Sequence, residues 1–268
     1  MDEFRSANFR NWESRVPVHV AATGYGLAEL AAGRRRLSGV VGRDAPYLGD
    51  LAGLDVVHVQ CHIGTDTISL ARLGGRVTGV DFSPSALEAG RDLATAAGVD
   101  VRFVESELYA IPEVLNADFD LVYTGVGALN WLPDIAGWAR VVAGLLRAGG
   151  RLYIRDAHPM LMTLDDERAD DLLVVALPYF EGAPNRWDTP TTYVDNLPIA
   201  ETVTYEWNRG LGEIVQAVID AGLRVTAVRE HAYCEWQALP ALVEVDDVWV
   251  LPEGRDRLPL MFTLEARA

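Results

Sequence analysis

From Asp55 to Asp156 the chain alternates short apolar runs with stretches of helical periodicity, and this alternation constrains the fold more than any other feature. A strand, a helix and a second strand make a βαβ unit, and successive units build a parallel sheet covered on both faces. Residues 55–60 (DVVHVQ) predict a buried first strand. Gly64 to Leu73 predicts a helix, entered near Thr65 or Asp66 and stopped by Gly74-Gly75, and Arg76 to Val80 a second strand. Ser83 is a good N-cap, Pro84 suits the first helical position, and Gly98 ends that helix. Val101 to Val104 and Phe119 to Tyr123 predict the third and fourth strands. Asp134 caps a helix that carries Ile135, Trp138, Val141, Val142 and Leu145 at helical spacing. Gly149-Gly150 is expected to stop it before a fifth strand, Arg151 to Arg155.

After Asp156 the pattern degrades. Residues 157–205 carry Pro159, Pro178, Pro184, Pro190 and Pro198 among aromatics such as Tyr179, Phe180, Trp187, Tyr193 and Tyr205. So long a stretch without a clear element reads as an insertion or lid. Gly210 to Ala221, closed by Gly222, predicts a further helix, with Leu223 to Val228 and Leu260 to Leu264 as final strands. The residues before Asp55 read as a helical cover carrying Trp12, His19 and Tyr25. The length of 268 residues suits one large α/β domain. Its expected parts are a cover (1–50), a core (51–156), an insertion (157–208) and a C-terminal helix with strands (209–268).

Charge narrows the partners. Against 39 acids stand 23 bases, a formal net charge of −16, which argues against nucleic acid or an anionic membrane. The one basic run, Arg34-Arg35-Arg36, reads as a solvated loop. Every base is arginine, so Schiff-base chemistry, a P-loop lysine and a Tyr-x-x-x-Lys pair are excluded. Cys61 and Cys234 form no disulfide framework and lack metal-ligand spacing, so no metal is expected. The N-terminal residues lack the apolar core of a signal peptide, and no run reaches the roughly 18–20 apolar residues of a membrane span. The expected location is cytoplasmic.

In an open parallel sheet, ligands bind beyond the carboxyl ends of the strands, where strand order reverses. After the first strand comes Cys61-His62-Ile63-Gly64-Thr65, leading into the N-terminus of a helix. After the second comes Asp81, 17 residues beyond Gly64, where a carboxylate can accept both hydroxyls of a ribose. After the third come Glu105 and Glu107, and a second acid there suits the amino group of adenine. After the fourth comes Thr124-Gly125-Val126-Gly127. A dinucleotide shares the strand-two acid, yet no G-x-G-x-x-G follows the first strand to cradle a pyrophosphate.

In order along the chain, these motifs resemble those of class I S-adenosyl-L-methionine (SAM)-dependent methyltransferases, over nearly its whole length. VVHVQCHIGTDTISLARLG stands where that family has its first glycine-rich motif. VTGVDFSPSALEAGR matches the strand with the ribose-binding acid, and VRFVESELYAIP the adenine-binding turn. FDLVYTGVGALNWLPD and LLRAGGRLYIRDAHP match the fourth and fifth strands and their connection. The resemblance implies an α/β, Rossmann-like seven-stranded sheet with an antiparallel last strand, helices on both faces and the N-terminal helical cover. It implies SAM as cofactor and S-adenosyl-L-homocysteine as product. Asp81 would hold the ribose, Glu107 and the amide of Leu108 would read adenine, and Thr124 would lie by the sulfonium. Gly64 with its neighbours Gln60 and His62 would wrap the methionine moiety, and Phe82 and Tyr25 complete the cofactor-binding set. The chain departs from the family where His58, Gln60 and His62 replace an acid and two glycines; only Gly64 is kept.

Methyl transfer needs the acceptor held in line, and a base only where the acceptor must lose a proton. His158, after the fifth strand, and His19, in the cover, are the candidate catalytic groups, with His231 a further histidine. Trp12, Trp131 and Tyr205 are candidate substrate-binding residues, among other aromatics that include Tyr179 and Trp207. Set against these readings, Asp81 could cap the following helix, Glu107 could be a solvated turn residue, and His58 could be a hydrogen-bonded core histidine. The expected function is methyl transfer to an oxygen, nitrogen or carbon of a small organic metabolite. The alternatives are a non-catalytic SAM-binding or partner protein of the same fold and, third, a nicotinamide-dependent oxidoreductase.

Overall fold

The structure is a computed structural model that describes residues 2–115, 118–168 and 170–268. Three helices come first: α1 (Glu3–Ala21), α2 (Leu27–Ala31) and α3 (Gly39–Leu48). The alternating core follows as β1 (Asp55–Val59), α4 (Thr65–Arg72), β2 (Arg76–Asp81), α5 (Pro84–Ala97) and β3 (Val101–Glu105). It continues through α6 (Ile111–Val114), β4 (Phe119–Thr124), α7 (Ile135–Leu145) and β5 (Leu146–Ala157). Beyond it lie β6 (Asn185–Asp188), β7 (Val203–Glu206), α8 (Leu211–Asp220) and β8 (Arg224–His231). The last elements are β9 (Tyr233–Cys234), β10 (Val243–Val245), β11 (Val248–Val250) and β12 (Met261–Arg267).

Seven strands form the main sheet in the order β3-β2-β1-β4-β5-β12-β8, with β12 antiparallel to both neighbours. The chain runs outward from β1 to β3 and then returns to β4, so strand order reverses between β1 and β4. Consecutive residues of β1 serve opposite faces. Val57 and Val59 pack with Trp138 and Val142 of α7 and Ile214 and Val218 of α8. Val56 packs on the other face with Val41 and Leu48 of α3 and Leu70 of α4. Helix α5 joins that face, where Leu93 and Ala94 meet Ile68 of α4 and Phe103 of β3. Each such buried side chain contributes about 1.5–3 kcal/mol relative to exposure. The seven-stranded sheet, its antiparallel last strand and the helices on both faces agree with the expectation.

The caps of α5 and α7 are those read from the sequence. Ser83 accepts from the Ala86 amide, Gly98 closes α5 with φ 65°, and Asp134 accepts from the Gly137 amide. Helix α7, however, ends at Leu145, and β5 already begins at Leu146, opposite Phe119. Gly149-Gly150 therefore lies inside a strand, at a register irregularity, rather than stopping a helix. Gly149 takes φ 80° and its N–H donates to Ala268 O; glycine serves a strand bulge as well as a helix end.

Two parts have no counterpart in the expected elements. A three-stranded sheet, β10-β11-β9, sits between β8 and β12 in the chain, with Cys234, Leu239, Leu242 and Leu251 packed beneath it. The strands β6 and β7 pair with each other, and α1 lies along β7. There Asn8 Nδ2 donates to Tyr205 O and Tyr205 N donates to Asn8 Oδ1, both at 2.8 Å, while Asn11 Nδ2 donates to Glu201 O at 2.5 Å. Helix α1 and the 185–206 segment together roof the carboxyl ends of β1 to β4.

Candidate active site

Asp81, the last residue of β2, is buried and serves two amides. Its Oδ2 accepts from His62 N at 2.8 Å and its Oδ1 from Ser83 N at 3.0 Å, tying the loop after β1 to the entry of α5. Burial raises its carboxyl to about 6, against the lowering effect of these bonds. Asp81 thus braces the cap residue Ser83 rather than capping α5 itself, and each oxygen keeps a second lone pair. Glu107 is engaged likewise: Oε2 accepts from Tyr109 N at 2.8 Å and Oε1 from Arg5 Nη1 at 3.2 Å. Leu108 packs in the core. Phe82 meets the ring of Phe9 edge-on at 5.6 Å, and Ser83 and Ser85 both donate to Glu13. Arg5, Phe9 and Glu13 follow i, i+4, i+8 spacing, so one stripe of α1 lies along the ends of β2 and β3.

The first-motif loop keeps a glycine-like backbone without the glycines. Gln60 has φ 58° and His62 φ 52°, left-handed conformations that cost a non-glycine residue about 1–2 kcal/mol each. Gln60 Nε2 donates to Ala128 O at 3.0 Å, while its buried Oε1 has no partner among the described residues. The buried Thr124 Oγ1, at the end of β4, likewise has none among them. Gly64 has φ 79°, and a Cβ there would lie 3.0 Å from the Phe103 ring and 3.3 Å from the Gly90 Cα. Its bareness lets α4 pack closely on α5. His58 is buried, its Nδ1 2.9 Å from Thr67 Oγ1, and burial pushes it down to about 3. It is placed as a core histidine.

Around the ends of β1 and β4 an aromatic cluster assembles from α1, the loops and the roof. Trp12 meets His62 at 4.8 Å and Trp131 at 5.3 Å between ring centroids. His19 Nδ1 stands 3.2 Å from His62 Nε2, and His19 Nε2 stands 2.6 Å from Thr192 Oγ1. Tyr25 Oη is 3.4 Å from His19 Nδ1 and 2.6 Å from Tyr193 Oη. Burial, with Arg15 adding, pushes His19 down to about 4, and burial holds His62 well below its ordinary value. Both rings are neutral at pH 7, so one donates and the other accepts between them. Arg15 lies over three rings, 5.4 Å from Trp12, 5.7 Å from Trp131 and 5.9 Å from Tyr193.

The structure thus brings together Trp12, His19, Tyr25, Gln60, His62, Thr124 and Trp131. It leaves others apart. His158 Nδ1 accepts from Met160 N at 3.0 Å, and its Nε2 lies 3.0 Å from Glu230 of β8, so the ring anchors the turn after β5. Tyr205 packs against Phe4, with centroids 4.8 Å apart, beside α1. Tyr179 accepts from Leu211 N at the start of α8, and His231 pairs with Thr263 on β12.

Several residues that shape the site were not singled out in the sequence. Asp156, the penultimate residue of β5, accepts from Gly127 N at 2.6 Å, Ala128 N at 3.2 Å and Leu129 N at 3.0 Å. It thereby orders the loop that leads to Trp131. Behind the sheet, Asp44 accepts from Tyr123 Oη at 2.5 Å, Tyr153 Oη at 2.8 Å and Arg155 Nε at 2.5 Å, all buried. Arg155 also pairs with Glu235. A signal existed in the Arg155-Asp156 pair, charges that directly follow the apolar run of β5. Arg15, Glu13 and Thr192 carried no comparable local mark.

Comparison with known proteins agrees with this geometry. Residues 56–150 match the family model described as a methyltransferase domain. Over 105 residues the chain is 32% identical to a ubiquinone biosynthesis O-methyltransferase of Xanthomonas euvesicatoria, covering 39% of this chain and 44% of that protein. The chain therefore aligns with less than half the length of that relative. Its fold is similar to that of a SAM-dependent methyltransferase of Mesorhizobium loti, with a TM-score of 0.54, 22% identity and coverage of 84% and 97%. A glycopeptide N-methyltransferase crystallised with SAM aligns with a TM-score of 0.52, 18% identity and coverage of 85% and 86%. Among the described residues no helix is long and apolar enough to cross a membrane, and no group of His, Cys, Asp and Glu could hold a metal. Residues 56–150 thus match a methyltransferase domain, and the sheet has the fold of the solved SAM-dependent methyltransferases.

Proposed function

We propose that the protein binds SAM along the carboxyl ends of β1 to β4 and methylates a small organic acceptor among the aromatic residues beneath α1. One observation carries this reading. Where strand order reverses, Gln60 Oε1 and Thr124 Oγ1 are buried without partners among the described residues, and Asp81 stands at the end of the adjacent strand. Buried polar atoms in folded proteins are as a rule hydrogen-bonded, and two orphans side by side at a switch point suit a polar ligand. The donor set fits SAM. Asp81 has lone pairs for the ribose hydroxyls, Glu107 for the adenine amino group, and Gln60 Oε1 for the methionine ammonium. Leu108, Gly64 and Phe82 would complete the walls.

Bound SAM supplies an electrophilic methyl group on a sulfonium. The faces of Trp12 and Trp131 favour a cation beside them, and Tyr25 lies at the edge of the same cluster. A ring whose basicity has fallen to about 4 is a weak general base at neutral pH, and both nitrogens of His19 are engaged, so His19 acts by holding His62 in position more than by deprotonating an acceptor. Thr192 at its Nε2 holds the ring in place. Arg5, Phe9 and Glu13 occupy the nucleoside side of the ends of β2 and β3. Helix α1 must therefore swing aside for adenosine to enter.

The net charge of −16 and an aromatic cluster covered by α1 support a small acceptor rather than a nucleic acid. We read residues 1–268 as one domain with cytoplasmic residence, its cover and its 157–208 insertion closing the acceptor side. Calorimetry of the purified protein with SAM, S-adenosyl-L-homocysteine and NAD tests the proposal. One-to-one binding of the first two and none of the third is expected; binding of NAD alone refutes it. A second reading, a non-catalytic partner protein of this fold, is favoured by one observation. Every oxygen of Asp81 and Glu107 already has a partner, one of them, Arg5, supplied by α1. Failure to bind SAM or its product would select that reading.

A further inference from the structure

Arg15 is 8% exposed, and among the described residues its one hydrogen bond is from Nε to Asn11 Oδ1, at 2.6 Å. No described carboxylate forms an ion pair with it. The carboxylate that acts on it electrostatically is that of Glu206 of β7, which burial pushes up towards the neutral form. A guanidinium stays charged under all ordinary conditions, and a buried charge without a counter-ion is costly unless something arrives to pair with it. The rings that enclose Arg15 come from three places: Trp12 from α1, Trp131 from the loop after β4, and Tyr193 from the roof. Tyr193 is 66% exposed and forms the outer wall, so the enclosure opens to solvent on the roof side. None of the three belongs to the ends of β2 or β3, where the nucleoside would lie.

We propose that Arg15 and its cage of Trp12, Trp131 and Tyr193 form an anion seat that selects an acceptor bearing a carboxylate on a planar, aromatic framework. The guanidinium presents its terminal nitrogens as a fork that matches a carboxylate, and the packed indoles offer a flat ring an apolar surface to lie against. The His19–His62 pair also packs against Trp12, so a polar group on an acceptor seated beside Trp12 would meet a neutral imidazole. This inference rests on reading the cluster as the acceptor pocket. The other carboxylate that could claim Arg15 is that of SAM itself, and the test separates the two.

The probes are benzoate and 4-hydroxybenzoate, each against its neutral amide, titrated into the full chain with and without S-adenosyl-L-homocysteine. Binding is read by calorimetry and by tryptophan fluorescence. Each carboxylate is expected to bind at least about tenfold more tightly than its amide. Arg15→Gln should shrink that preference to under about threefold, Arg15→Lys should retain part of it, and affinity for S-adenosyl-L-homocysteine should change by less than about threefold. Equal or absent binding of acids and amides by the wild-type chain overturns the proposal. So does a Gln variant that loses S-adenosyl-L-homocysteine about tenfold while acid preference persists, which would assign Arg15 to the cofactor. Should the Gln variant fail to fold, the wild-type comparison of acid with amide stands alone as the test. If the protein binds neither SAM nor its product yet still prefers the acids, the methyltransferase reading fails while the anion seat survives.

Discussion

His19 Nδ1 stands 3.2 Å from His62 Nε2, joining α1 to the loop after β1 through two imidazoles that burial keeps neutral. The folded-state value of His19, about 4, lies below the ordinary 6.5. The stability it contributes is therefore complete above pH 6.5 and is lost as pH falls through 4. The shift corresponds to about 3 kcal/mol across that window. NMR titration of the histidine rings should find His19 neutral at pH 5. Urea melts should show His19→Gln losing less stability than wild type between pH 7 and 4; an equal loss would show that the ring is not held neutral by the fold.

Gly64→Ala is expected to destabilise the protein by about 2–4 kcal/mol, the sum of a left-handed alanine and an overpacked contact with Phe103. Thermal or urea denaturation reads this directly. A loss below half a kcal/mol would mean that α4 and α5 can separate without penalty.

Asp44→Ala should be among the most damaging substitutions in the chain, at about 3–5 kcal/mol. It leaves the hydroxyls of Tyr123 and Tyr153 without their acceptor and Arg155 with Glu235 alone among its carboxylate partners. Asp44→Asn, which keeps one acceptor oxygen, should lose less. Equal melting midpoints for wild type and Asp44→Ala would contradict this role.

If the Arg5, Phe9 and Glu13 stripe must leave the ends of β2 and β3 before a nucleoside enters, loosening it speeds entry. The double variant Arg5→Ala with Phe9→Ala should associate with S-adenosyl-L-homocysteine several-fold faster in stopped-flow tryptophan fluorescence. An unchanged association rate would show that α1 is no barrier.

What could be read from the residues divides along physical lines. The strands β1 to β4 and the caps Ser83, Gly98 and Asp134 were legible because each depends on neighbours a few residues away. Gln60, His62, Asp81 and Thr124 could be placed at strand ends because topology alone brings those ends to one edge of the sheet. Gly149-Gly150 misled because the same residue type serves helix ends and bulges. The β9–β11 sheet was missed because its strands, two or three residues long, rest on packing beneath Leu239 and Leu251 rather than on local pattern. His158 has the right strand end, but its ring turns to Met160 and Glu230, a choice made by β8 and invisible from β5. The cage of Arg15 was out of reach for the same reason, since Trp131 and Tyr193 come to Arg15 from far along the chain.

A crystal structure of the protein with S-adenosyl-L-homocysteine tests the central claim most directly. The account predicts the ribose hydroxyls on Asp81, the adenine against Glu107, and the Arg5–Glu13 stripe of α1 displaced from both. A nucleoside bound away from the ends of β2 and β3, with Asp81 still holding only the amides of His62 and Ser83, would contradict it.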